Sequence, residues 1–163
     1  MEATTYSETF ALLAELALAL AGFGGVAAAF GGRERAFRAT ELIRLRAVFV
    51  SSGIVLVGSL AVQTLLAVDQ LAAHAIRIAA FLSLGAHAAW NATSLPAAYR
   101  SANDPDSTSE LWALNLSSAY AVSGLVLYGW CAWSGQAWPL LGASSLQLVF
   151  GLWMFTRILT RPN

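Results

Sequence analysis

The sequence predicts an all-α integral membrane bundle of five transmembrane helices. Three observations lead there: a composition poor in charge, apolar runs of membrane-crossing length, and arginines gathered on alternate connections. Hydrophobic residues make up 58% of the 163 and charged residues 11%, against ~25% charged in an ordinary soluble domain. A soluble chain of this size covers itself with polar groups, and this one has too few. The net charge is zero, so the overall balance favours no nucleic-acid partner.

A spanning helix needs ~20 mostly apolar residues, at ~1.5 Å each across a ~30 Å hydrocarbon core. The first run, about 9–30, contains one charge, Glu15. Thr5 and Glu8 stand at capping-box spacing before it. The start Met1-Glu2-Ala3-Thr4-Thr5 lacks the basic region of a secretory signal, so this run is expected to stay as a membrane helix. The second run, about 47–68, carries no charge. The third, about 71–90, follows a polar turn at Asp69-Gln70 and carries His74, Arg77 and His87. Asn91, Thr93, Ser94 and Pro96 predict its end near Trp90.

Between Leu111 and Thr156 there is no formal charge, a stretch sized for two spans, about 111–133 and 138–157. Ser134-Gly135-Gln136, followed by Pro139, supplies the turn between them, and Ser107 with Glu110 repeats the capping-box spacing ahead of the fourth helix. The polar connection 91–109, with Asp104-Pro105-Asp106, reads as a mobile loop. No repeat or compositional break divides the chain, so residues 1–163 form a single transmembrane domain.

All basic residues are arginine. With five spans, Arg33, Arg35, Arg38, Arg44, Arg46, Arg100, Arg157 and Arg161 fall on one side, and Glu2, Glu8 and Asp69 on the other. The positive-inside rule makes the arginine side cytoplasmic, with the N-terminus out and the C-terminus in. Trp130, Trp133 and Trp138 lie at the outer turn, and Trp90 and Trp153 towards the inner boundary, as interfacial belts require. Asn91 and Asn115 begin N-glycosylation sequences, but on the cytoplasmic side of this topology. The Ala-, Leu- and Gly-rich, lysine-free composition suits a bacterial inner membrane protein.

Polar residues inside apolar helices are the candidate sites, because an ionised side chain at the bilayer centre costs ~2.5–3.5 kcal/mol even on lenient scales. Glu15 heads a face of Ala19, Gly22, Val26 and Ala29. Arg77, counted down from Leu71, is expected at comparable depth, with His74 one turn above it and Gln63 in the same half. Glu15, Gln63, His74 and Arg77 would then form one outer polar cluster. It reads either as a buried ion pair that fixes helix register or as a site for protons, ions or a charged ligand, with Gln147, Ser123 and Asn115 as the continuation of a pathway inward.

His74 and His87, thirteen residues apart, invite haem or chlorophyll ligation. Thirteen steps of ~100° put them on largely opposite faces, and no further histidine completes either site. Ala17, Ala21, Gly25 and Ala29 form a helix-packing rail, with Gly24, Ala28 and Gly32 beside it. The lone Cys131 excludes an internal disulfide and a multi-cysteine metal site and reads as a small packing residue. No metal site is expected. Walker-type, HExxH, CxxC and GxSxG patterns do not occur, and no serine has an obvious paired base, so no enzymatic activity is expected.

The run Ala14-Glu15-Leu16-Ala17-Leu18-Ala19-Leu20-Ala21-Gly22-Phe23-Gly24-Gly25-Val26, with Arg44-Leu45-Arg46, Ile76-Arg77 and Phe155-Thr156-Arg157-Ile158-Leu159, resembles small bacterial multi-span membrane proteins to which no activity is assigned. The resemblance implies a bacterial multi-span protein with an acid in its first helix and transfers no chemistry. Glu15 also resembles the first-helix acid of the small multidrug-resistance transporters, from which this chain departs in span count and in carrying Arg77. Two functions follow as expectations. One is an oligomeric channel or transporter-like protein for protons, ions or a small solute. The alternative is a non-catalytic accessory subunit of a larger membrane complex. Both imply the lipid bilayer and a homo-oligomer or membrane complex as partners.

Overall fold

A computed structural model describes residues 2–34, 39–102 and 111–160. Five long helices and one short one account for them: α1 Glu2–Glu34, α2 Ala39–Leu66, α3 Asp69–Ala72, α4 Ala75–Ala102, α5 Leu111–Ser134 and α6 Ala137–Leu159. Three of the long helices hold segments long and apolar enough to cross a membrane: Tyr6–Phe30, Glu41–Leu66 and Ala137–Leu159. α4 and α5 are of similar length, and their polar residues include His87, Asn91 and Thr93 on α4 and Asn115, Ser117 and Ser118 on α5.

The helices run past several sequence-predicted boundaries. α1 begins at Glu2, so Thr5 lies within it and is not its cap. α2 starts eight residues before the expected 47, taking in Glu41, Arg44 and Arg46. The Asp69-Gln70 turn is instead the single-turn α3, and His74 falls in the turn before α4, where its carbonyl accepts from Ile78 N–H at 3.0 Å.

The largest correction concerns the third span. Its helix continues beyond Trp90, through Pro96, to Ala102. The polar residues that predicted an end bond back to their own helix: Asn91 Nδ2 donates to His87 O at 2.8 Å, and Thr93 Oγ1 lies 2.9 Å from Trp90 O and 3.2 Å from Ala89 O. Side chains satisfied in this way leave the helical ladder intact. Pro96 then removes one ladder donor, which a packed helix tolerates. Asp104-Pro105-Asp106, Ser107 and Glu110 lie outside the described residues.

The turn between α5 and α6 forms where Ser134-Gly135-Gln136 predicted it. Gly135 takes φ 72°, a left-handed conformation suited to glycine at a helix C-terminus, and Gly135 N–H donates to Cys131 O at 2.8 Å. Cys131 is buried, its Sγ 3.1 Å from Gln136 O.

α2, α4, α5 and α6 form a square in which each helix packs on two others, and α1 lies across the α2–α6 edge. The core is thin and built of small side chains. Phe10, Leu13 and Ala17 of α1 meet Ile54, Val55 and Val62 of α2, Ala79 and Ala80 of α4, Tyr128 and Cys131 of α5, and Leu140 and Ala143 of α6. Close approach depends on glycine, as at the crossings of Gly58 and Gly151. A Cβ on Gly58 would stand 2.6 Å from Ser83 Oγ, and one on Gly151 would stand 2.7 Å from Ser51 Oγ and 2.9 Å from Leu20 Cδ2. Association of apolar helices relies on such small contacts, because burial against lipid tails supplies no hydrophobic gain.

Candidate functional site

The residues expected to form an outer cluster are not brought together. Glu15 is exposed on α1, Arg77 and His74 are exposed at the start of α4, and Gln63 is half-buried on α2. α1 packs on α2 and α6, whereas α4 packs on α2 and α5, so bundle elements separate the two charges. Their depths differ as well. Gly24 meets Val48, so in this antiparallel pair Glu15, nine residues nearer the start of α1, stands level with Val57, next to Gly58. Gly58 meets Ser83, and Arg77 is six residues nearer the start of α4 than Ser83, about 9 Å closer to that end of the bundle. No ion pair joins Glu15 to Arg77. The guanidinium rests instead on the α5–α6 turn, where a Cβ on Gly135 would lie 2.8 Å from Arg77 Nε.

Inside the square, a different polar group assembles. His87 of α4, Tyr120 of α5 and Gln147 of α6 are all buried. His87 Nε2 lies 3.0 Å from Ala121 O. A carbonyl only accepts, so Nε2 carries the proton and Nδ1 is the acceptor. Gln147 Nε2 donates to Nδ1 at 2.7 Å, and Tyr120 Oη donates to Gln147 Oε1. The donors therefore run in one direction, from Tyr120 through Gln147 and His87 to a backbone carbonyl that passes nothing on. Gly124 makes the seat possible, since a Cβ there would stand 2.5 Å from His87 Nε2.

Aromatic rings extend this group. His87 meets Tyr120 and Tyr128 edge-on, with ring centroids 5.5 and 5.8 Å apart. Tyr120 stacks on Phe150 at 3.8 Å, and Phe150 reaches Trp153 at 5.7 Å. Trp153 and Trp112 flank the Arg157 guanidinium, 5.5 and 5.1 Å from their ring centroids, within cation–π range. Arg44 Nη1 also donates to Arg157 O at 3.3 Å, which places the start of α2 and the end of α6 at one end of the bundle.

Beneath the network lies a cavity of about 70 Å3, lined by residues of α2, α4, α5 and α6 that include Trp90, Asn91, Ser94, Ser117, Tyr120 and Phe150. The buried hydroxyls of Ser52 and Ser59 have no hydrogen-bond partner among the described residues.

The expected pathway residues part company. Gln147 is in the network. Ser123 is exposed, its hydroxyl donating to Ala119 O at 2.9 Å, and Asn115 is exposed on the same helix. The packing rail divides too: Ala17 is buried, Ala21 and Gly25 are half-buried, and Ala29 is exposed. The cofactor alternative finds little room at His87, because both ring nitrogens are hydrogen-bonded inside packed helices, while His74 is exposed in a turn. Among the described residues, no group of three or more His, Cys, Asp or Glu could hold a metal ion.

Sequence reasoning singled out His87 and Gln147 separately but missed Tyr120 and Gly124. Their assembly across 60 and 27 residues of chain leaves no local spacing to read. Comparison with protein-family models, with curated proteins and with solved structures finds no match.

Proposed function

We propose that this chain is a five-span protein of the bacterial cytoplasmic membrane, with its N-terminus outside, that serves as a non-catalytic subunit of a larger membrane assembly and docks through α1. One observation carries the reading. Glu15 lies exposed on an apolar helix, about 13 Å along the axis from Tyr6, with no partner among the described residues. A carboxylate facing hydrocarbon there is costly, and residues of this kind meet a partner or a water-filled cavity. α1 is also the least embedded of the apolar helices: 28% of its apolar stretch is buried, against 39% for α6 and 56% for α2.

The spans of α4 and α5 draw support from contact. α4 lies alongside α2 through Gly58–Ser83, α5 lies alongside α6 through Tyr120–Gln147, and His87–Ala121 joins α4 to α5, so a bilayer crossed by α2 and α6 takes α4 and α5 with them. Arg44 near the start of α2, with Arg100 and Arg157 near the ends of α4 and α6, supports the orientation.

The channel or transporter reading has less support. The interior donor chain stops at a carbonyl, and Glu15 is exposed on α1 while Ser123 and Asn115 are exposed on α5.

Single-molecule photobleaching of the labelled full chain in native membrane, together with proton and cation flux in liposomes, tests the proposal. The expected result is assemblies above one chain, reduced by Glu15→Leu, with no flux. Single chains only, or flux abolished by Glu15→Gln, would overturn it.

A further inference from the structure

Resting on the five-span reading, we infer that the outer end of the bundle holds a phospholipid headgroup, with the Arg77 guanidinium on its phosphodiester and the tryptophans of the α5–α6 turn around it. Arg77 is the exception in the charge pattern. Arg44, Arg46, Arg100 and Arg157 lie at the opposite end of the bundle. The Arg77 side chain is exposed and makes no hydrogen bond or ion pair among the described residues. A guanidinium keeps its charge at any ordinary pH and presents its N–H donors in a fixed planar fork.

Two contacts agree on its depth. Gly58 meets Ser83, so Arg77, six residues nearer the start of α4, stands level with Thr64 of α2. That is two residues short of Leu66, where the membrane-length segment of α2 ends. The guanidinium itself lies on Gly135, its Cζ and Nη2 each 3.4 Å from the position of a Cβ there, and the segment of α6 opens just beyond, at Ala137. Arg77 therefore sits about 3 Å from the edge of the apolar segments, where hydrocarbon gives way to headgroups.

Three indoles flank the same turn. Trp130 and Trp133 belong to the end of α5 and Trp138 to the start of α6, and they are 56%, 89% and 58% exposed. Trp138 Nε1 donates to Gln136 Oε1 at 2.9 Å. Indole is apolar in its rings and polar at its N–H, and it concentrates at the headgroup level of membranes.

Charge and depth together select the occupant. Glu15 is about 9 Å deeper. Glu8 stands level with Arg77 but on α1, which packs on α2 and α6, and no ion pair joins the two. A lipid phosphodiester carries its negative charge on two unesterified oxygens, which a guanidinium matches with a pair of parallel N–H bonds. A protein partner would have to bring an acid to this depth, whereas the bilayer supplies phosphate there on every side.

Solid-state NMR of the full chain, with arginine labelled at its guanidinium carbon, tests this in phosphatidylglycerol bilayers. The signal missing from Arg77→Lys is that of Arg77. It is expected to be lost when coupling to lipid phosphorus is switched on, and to persist in a phosphate-free glycolipid bilayer with inorganic phosphate added. Persistence in phosphatidylglycerol, or equal loss with inorganic phosphate, would overturn the inference. Loss in purified lipid but not in native membranes would give the patch to a protein partner and sink it too. The fluorescence that Trp130→Phe/Trp133→Phe removes is expected to be quenched by brominated lipid. Quenching without loss of the Arg77 signal defeats the headgroup and leaves five spans standing. If neither occurs and those indoles are quenched only from water, both fail.

Discussion

His87 and Glu15 are both polar residues inside apolar helices, yet the fold treats them in opposite ways. His87 is fully buried, with both ring nitrogens hydrogen-bonded and a glycine cleared to make room for it. Glu15 is exposed, with small residues beside it and none of its own bundle over it. The first arrangement is complete within one chain and ties α4, α5 and α6 together. The second leaves a carboxylate on the outer side of α1, where the proposed docking would give it a partner. The side of its helix that a polar residue occupies thus decides whether the chain's own bundle encloses it.

The interior should show the largest losses. Gly124→Leu should destabilise the bundle by about 3 kcal/mol, since its Cβ enters the seat of His87 and overpacking carries costs of this order; denaturant unfolding in bicelles reads this directly. An unchanged midpoint would mean that His87 is not held there. Gln147→Leu leaves His87 Nδ1 and the Tyr120 hydroxyl without partners and should cost ~2 kcal/mol in the same assay. Ser59→Ala removes a buried hydroxyl that has no partner among the described residues, so stability should stay within about 0.5 kcal/mol of the unaltered chain. A larger loss would reveal a bond to that hydroxyl. Smallest of all is the coupling between Glu15→Leu and Arg77→Leu. The two side chains are apart in one chain, so their effects on bundle stability should add to within ~0.5 kcal/mol. A larger coupling would restore the ion pair expected from the sequence.

Helix content and helix number were legible because apolar run length and turn residues act locally. The α5–α6 turn at Gly135 is the clearest case, where a residue suited to positive φ sits between two long apolar runs. The end of the third span was misread because Asn91, Thr93 and Pro96 signal a break in water. Within α4, Asn91 and Thr93 bond to carbonyls of the preceding turn and the helix continues to Ala102. The expected Glu15–Arg77 pair failed for a related reason. Counting residues from helix ends estimates depth, but neither the neighbours of a helix nor its vertical offset is written in its own period.

Composition and the spacing of apolar runs were enough to establish a helical chain with membrane-length segments, because these depend on hydrogen bonding and transfer energies within single helices. Which polar residues meet was decided by tertiary structure alone. His87 reaches Gln147 because glycines at crossings such as Gly58–Ser83 and His87–Gly124 let neighbouring helices approach closely enough to lock their register. Glu15 stays outside because α1 turns its other face, from Phe10 to Gly24, towards α2 and α6.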